Sequence, residues 1–207
     1  DSNTINNATN YCTDWMNVFQ ISRQNRLSLG ISFDAYTGDF YSRYGTGPAT
    51  VLPTESQTDV AFYAQDEWEL VKNLFLTGAV RYDSYSQAGS ALTYRFTSAY
   101  LVEKTNTKFR GSYGTGFKAP TPGQSNAYNV STEFDFVLND LVNNGTIPSD
   151  SAVAALRGGK PLEPEDSTNM TFGVFFNVGG LDVTVDYFNI DVDNRLNLSQ
   201  NYQLTQQ

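Results

Sequence analysis

The sequence predicts an all-β protein: an antiparallel up-and-down sheet of about eight strands, of the kind that forms a transmembrane β-barrel segment. Three observations predict it. Apolar and polar residues alternate with period two through most of the chain. Short connections between the alternating segments take turns with long ones. Aromatic residues are abundant, with 13 Tyr, 14 Phe and 2 Trp in 207 residues, while overall hydropathy stays modest, which suits strands with one greasy face.

The strands follow in order. Trp15 to Ser22 is the first segment, with mixed parity. LSLGISFDAY sets Leu27, Leu29, Ile31, Phe33 and Ala35 against Ser28, Gly30, Ser32 and Asp34. Asp59 to Leu70 puts Asp66 on the side of Phe62 and Trp68, so a bulge or a change of environment is expected there and the facing stays open. LFLTGAVRYD places Leu74, Leu76, Val80 and Tyr82 opposite Thr77, Arg81 and Asp83. LTYRFTSAYLV places Leu92, Tyr94, Phe96 and Tyr100 opposite Thr93, Arg95 and Thr97. Phe109, Tyr113 and Phe117 alternate with Lys108, Arg110, Ser112, Gly114 and Gly116. MTFGVFFNV (Met170 to Val178) and LDVTVDYF (Leu181 to Phe188) complete the set.

All seven prolines fall outside these segments, as a hydrogen-bonded ladder requires. The short connections are Arg23 to Arg26, Val71 to Asn73, Glu103 to Thr107 and Gly179-Gly180. The long ones are Thr37 to Thr58, Ser84 to Ala91 and Lys118 to Ser167. Strict alternation of this kind fits a barrel with tight turns on one rim and elaborated loops on the other. A soluble antiparallel sandwich shares the period but does not usually sort its loops so regularly. Within the last loop, Ser149 or Asp150 can cap a short helix over AVAALR that Gly158-Gly159 ends.

Composition removes several functions. A net charge of −9 argues against nucleic acid. No histidine is present, so His-based nucleophilic catalysis and most zinc sites cannot be built from this chain. Cys12 is alone, which leaves no internal disulfide. Gly114-Thr-Gly116 lacks the rest of a nucleotide-binding pattern. Glu163, Glu165 and Asp166 read as solvated loop acids, and Asp191, Asp193 and Asn194 as a polar strand end rather than a Ca²⁺ loop. No enzyme activity and no cofactor are expected, and no apolar run reaches the roughly 18 residues of a membrane-spanning helix.

Four stretches carry a family resemblance: FYAQDEWEL with LFLTGAVRYD after it, SYGTGFKAPTPGQSN, KPLEPEDSTNMTFGV and VDYFNIDVDNRL. In this order and spacing they resemble the later part of the barrel of TonB-dependent outer-membrane receptors. The matching motif positions are Gly116, Phe117, Lys118, Ala119 and Pro120, then Leu162, Pro164 and Glu165. The resemblance implies a barrel of about 22 strands around a plug, in a Gram-negative outer membrane. It also implies uptake of a scarce ligand, such as a ferric siderophore, energised through TonB acting on the plug. Residues 1–207 are then expected to be a partial barrel domain, an open arc without plug or final strand. Its partners would be outer-membrane lipid, the plug, the remaining strands and a small ligand. A passive porin or a secreted β-sandwich binding module is the alternative.

On the barrel reading, Arg81, Asp83, Arg95, Lys108, Arg110, Asp182 and Asp186 cannot face lipid, so they are expected to line the lumen and meet plug or ligand. Simple solvation of the wall is the competing use of each. Trp15, Trp68, Tyr82, Tyr100 and Tyr187 are candidates for interfacial aromatic girdles.

Overall fold

The computed structural model describes residues 2–44 and 50–199. Eight strands form one antiparallel sheet in the order β1 (Ser2–Ser22), β2 (Asn25–Tyr44), β3 (Thr50–Val71), β4 (Leu74–Tyr85), β5 (Gly89–Val102), β6 (Thr107–Lys118), β9 (Glu165–Val178) and β10 (Leu181–Asp193). Between β6 and β9 lie a helical turn α1 (Pro122–Ser125), a separate two-stranded hairpin of β7 (Asn129–Asp135) and β8 (Asp140–Thr146), and α2 (Ala152–Ala155). All eight expected segments are strands of the main sheet. Among the described residues no ladder joins β1 to β10, so the sheet is open at both edges.

Turn chemistry sets the register. Gly179 and Gly180 both have positive φ, 60° and 82°, as a two-residue type I′ hairpin demands. The β3–β4 turn places Asn73 at φ 67°, and the β5–β6 turn places Asn106 at φ 46°, a region Asn tolerates. These two neighbouring turns are joined side to side, with Lys72 Nζ 3.0 Å from a Glu103 carboxylate oxygen. Hydrogen bonding from Asn73 and then the Lys72 ammonium hold the Glu103 carboxyl below its ordinary range.

Several boundaries differ from expectation. The connection Thr37 to Thr58 is mostly strand: β2 and β3 stay paired through Ser42↔Thr50, and only 45–49 lie outside the described residues. β1 likewise starts at Ser2 and pairs along the whole of β2. These extensions carry polar residues on both faces, so period-two hydropathy could not reveal them. Pro53 falls inside β3, contrary to the proline rule. It sits where the register slips between Gly38↔Glu55 and Phe40↔Leu52, on the part of β3 that β4 no longer covers, where the missing N–H breaks no ladder bond.

The connection Ser84 to Ala91 shrinks to residues 86–88, so the short-and-long alternation is weaker than the sequence suggested. The last loop holds a hairpin and two helical turns instead of one helix. Its α2 spans a single turn, capped by Ser151, whose Oγ accepts from the Ala154 amide at 3.3 Å, rather than by Ser149 or Asp150. Gly158, at φ 83°, closes it as expected. At the tip of the hairpin Phe136 and Val137 stand almost fully exposed.

Cross-strand register assigns every residue to a face. Leu29, Ala64, Val80 and Tyr94 form one row of the apolar face, and Trp15, Ile31, Phe62, Tyr82 and Leu92 form the next. Trp68, Tyr100 and Tyr187 share that face. In β3 the even residues are apolar-side, which settles the open facing. Asp66 lies among them without any bulge beside it, near the tight-turn rim, and accepts from Asn25 Nδ2 at 2.6 Å. On β10 the pattern inverts while the register with β9 continues unbroken. Leu181, Val183, Val185 and Tyr187 occupy the apolar face, but beyond them Asn189, Asp191 and Asp193 take it, and Phe188, Ile190 and Val192 move to the polar side.

Candidate functional site

Each of Arg81, Asp83, Arg95, Lys108, Arg110, Asp182 and Asp186 lies on the polar face. The structure gathers some of them. Arg110 holds Asp186 with Nη2 at 2.7 and 2.8 Å from the two carboxylate oxygens and Nε at 3.1 Å. Between their strands is Gly173, register partner of both, and a Cβ there would overlap the Asp186 carboxylate and the Arg110 side chain. A small residue thus lets the pair lie flat across β9. Asp182 accepts from Asn177 at 2.7 Å. Arg95 lies between two shallow grooves of about 440 and 340 Å³. Lys108 borders the second groove and pairs across with Phe175. Arg95 shares the first groove with Arg81, and the other four are not brought to Arg81 and Asp83.

The cluster around Arg81 is richer than the sequence indicated. Arg81 Nε donates to Asp83 at 2.8 Å and Nη2 to Ser32 Oγ at 3.1 Å. The guanidinium also lies 5.9 Å from the centroid of Tyr63. Tyr63 covers Gly30, its register partner on β2, and donates to Asp14 at 3.0 Å. Asp34 and Asp59 face each other directly across β2 and β3. Asp14, Asp34, Asp59 and Tyr63 were missed as site residues. Counting pairs outward from the Arg23-Gln24 turn sets Asp34 opposite Cys12 on β1, whereas its pairing with Asp59 depends on the register of β2 with β3, which no short turn fixes.

The motif residues converge at the opposite end from the tight turns. Lys118 pairs with Glu165 in register and lies 3.2 Å from its carboxylate. Glu165 Oε1 accepts from the Leu196 amide at 2.8 Å. Three separated motifs therefore meet on one side chain that is only 14% exposed. β5 and β6 pair only as far as Arg95↔Gly114 and then part, with Thr115 Oγ1 taking the Tyr94 amide at 3.1 Å. The Phe117 ring reaches Tyr85 at 5.5 Å. Gly116 remains paired with Ser167, Ala119 and the buried Pro120 carry the chain out of the sheet, and α1 then lies beside β3. Leu162 and Pro164 are half-buried in the irregular approach to β9.

The family model described as "TonB dependent receptor-like, beta-barrel" matches residues 1–207. The chain belongs to that family. Solved structures similar to this receptor barrel include the siderophore receptor PirA from Pseudomonas aeruginosa, at 18% identity and a TM-score of 0.62 over 90% of this chain and 32% of that one. The ferric enterobactin receptor PfeA of Pseudomonas aeruginosa, as a mutant, is similar at 16% identity and 0.67 over 90% and 27%. The RagAB peptide transporter is similar at 14% and 0.61 over 92% and 24%. The receptor barrel chain thus spans about a quarter to a third of those proteins. They share its fold, and they are receptors and transporters, not enzymes.

The apolar face is tall enough for the apolar band of the family's barrels. The apolar stripe of β4 runs from Leu74 to Tyr82, nine residues or roughly 30 Å at about 3.3 Å each. A tilt of about 40° reduces this to roughly 23 Å, close to the ~25 Å apolar band of outer-membrane barrels.

Proposed function

We propose that residues 1–207 are part of the wall of an active transporter in a Gram-negative outer membrane, energised through TonB and taking up a scarce ligand such as a ferric siderophore. The match to the receptor family over the whole chain carries this reading. In it the apolar face meets lipid and the polar face lines a lumen that a plug fills, and the rest of the barrel supplies partners for the edges of β1 and β10. Lipid offers no hydrogen bonds, so those edges need protein neighbours. The similar structures are siderophore receptors and a peptide transporter, and the choice of ligand rests on plug and loops together. Growth of the native cell on a ferric chelate as sole iron source tests the reading. Uptake should vanish when the full-length gene is deleted and when the proton gradient is collapsed. Uptake that survives collapse of the gradient would mean a passive pore.

Orientation follows from the same reading. The loop between Lys118 and Glu165 faces outside, and the turns at Lys72 and Lys104 face the periplasm. In full-length receptor with Cys12 replaced, Asn144→Cys should react with an impermeant maleimide on intact cells and Lys104→Cys should not. The reverse pattern would invert the wall.

A further inference from the structure

We propose that the groove bordered by Arg95, Lys108 and Arg110 seats an acidic segment of the receptor that lies outside residues 1–207 and passes through the lumen. The inference rests on the reading of the polar face as a lumen wall. The groove holds about 340 Å³, and three cations but no carboxylate line it. That balance runs against a chain whose net charge is −9.

Two of the three cations are free, while the acids around them are taken. Arg110 is committed to Asp186. Arg95 and Lys108 are exposed, and among the described residues they make no hydrogen bond and no ion pair. Glu67, at the β3 end of the groove's central row, is held by Arg26 and accepts from Gln65 at 2.8 Å. Asp182 accepts from Asn177, and Asp14 from Tyr63. The central row itself is all hydroxyl: Thr77, Thr97, Ser112 and Thr171 are register partners in turn across β4, β5, β6 and β9. Ser112 and Thr171 bond each other at 2.6 Å, but the hydroxyls of Thr77 and Thr97 have no partner among the described residues. Ammonium, guanidinium and hydroxyl groups can all donate, so the lining calls for a negatively charged acceptor, a carboxylate.

Spacing says that the acceptor comes on a segment of chain. Arg95 is the register partner of Gly114, and Lys108 lies six residues further along β6, roughly 20 Å at about 3.3 Å each. One small anion cannot answer both cations, whereas an extended segment along the wall can bring an acid to each. Depth says whose chain it is. Thr77 sits within the span of the apolar stripe from Leu74 to Tyr82, and Lys108 is the second residue of β6, beside the tight-turn rim. This chain matches only 32% and 27% of the two siderophore receptors above, so most of such a receptor lies outside it. Protein that fills the lumen at this depth strips water from both cations, and a buried charge without a partner is strongly unfavourable. The filling segment therefore has to carry the missing acids.

Full-length receptor purified without ligand tests this by carbodiimide coupling, which joins a lysine amine to a carboxylate in contact with it. Mass spectrometry of the digest should find the Lys108 peptide linked to an Asp or Glu outside residues 1–207. Lys108→Arg should lose that link and melt like wild type. Arg95→Gln/Lys108→Gln should melt about 1–3 °C lower at low salt, with the gap closing as salt rises, and Lys104→Gln on the tight turn should not. The proposal falls if Lys108 stays uncoupled in the ligand-free receptor or couples only within residues 1–207, because the cations are then solvated or await a ligand. It falls too if the double variant melts with wild type at low salt. Should the double variant fail to fold, the coupling and its loss in Lys108→Arg decide alone. No readout needs uptake: gradient-driven uptake with Lys108 uncoupled overturns this inference only, and passive uptake with the coupling present overturns the transport reading only.

Discussion

Val80→Arg in the full-length receptor should cut the amount of folded barrel in the outer membrane about tenfold or more, while Gln65→Arg, beside it on β3, should leave it near wild type. Val80 lies in the apolar row with Leu29, Ala64 and Tyr94, inside the stripe from Leu74 to Tyr82 and two residues from its Tyr82 end. An arginine on the lipid face costs about 2–4 kcal/mol at the bilayer midplane and less toward the interfaces, so about 1.4 kcal/mol or more is expected at this depth, which is about tenfold in an equilibrium. Gln65 pairs with Ala79 on the other face, and its amide donates to Glu67 at 2.8 Å, so a guanidinium there meets water and a carboxylate. Heat-modifiable mobility of the membrane fraction on gels reads the folded barrel directly. Equal loss in both variants would refute the assignment of faces.

The second large effect concerns the 207-residue chain on its own. Refolded from denaturant into detergent without the remaining barrel, it should aggregate or stay polydisperse rather than give one folded species. Among the described residues, β1 and β10 each leave a row of backbone donors and acceptors unpaired, and open edges in an apolar environment are both costly and sticky. The sheet also has almost no core of its own. Ala61 is the one buried hydrophobic residue among those described, and large side chains such as Leu92 and Phe188 are 63% and 70% exposed. A monodisperse, cooperatively melting product would show that the arc is self-sufficient.

What could be read from the sequence follows from what water and lipid impose. Where one face is apolar, from Leu27 to Ala35 or Leu74 to Tyr82, alternation located the strands and placed Arg81, Asp83, Arg95, Lys108, Arg110, Asp182 and Asp186 on the same side. Where both faces are polar, as in Ser2–Asn10 and the upper parts of β2 and β3, the period carries no contrast and the strands read as loop. The β7–β8 hairpin escaped because it pairs only with itself. Asp34 and Asp59 were invisible as a pair because opposition across strands is a matter of register, which depends on turns and not on either segment. The motif segments were legible as a set, yet their meeting at Glu165 needed the fold.

The inversion on β10 has a genetic consequence. The greasy side ends at Tyr187 because parity changes between Tyr187 and Phe188, with no slip against β9. Loss of the single codon for Phe188 would restore phase. Ile190 and Val192 would join Leu181, Val183, Val185 and Tyr187 on one side, and Asn189, Asp191 and Asp193 would fall in line with Asp182, Thr184 and Asp186. The strand would then present six apolar residues in unbroken alternation, climbing roughly 13 Å further along its axis at about 3.3 Å per residue. The height at which this wall leaves the membrane is therefore written in one reading-frame-preserving position, open to change without rebuilding the backbone.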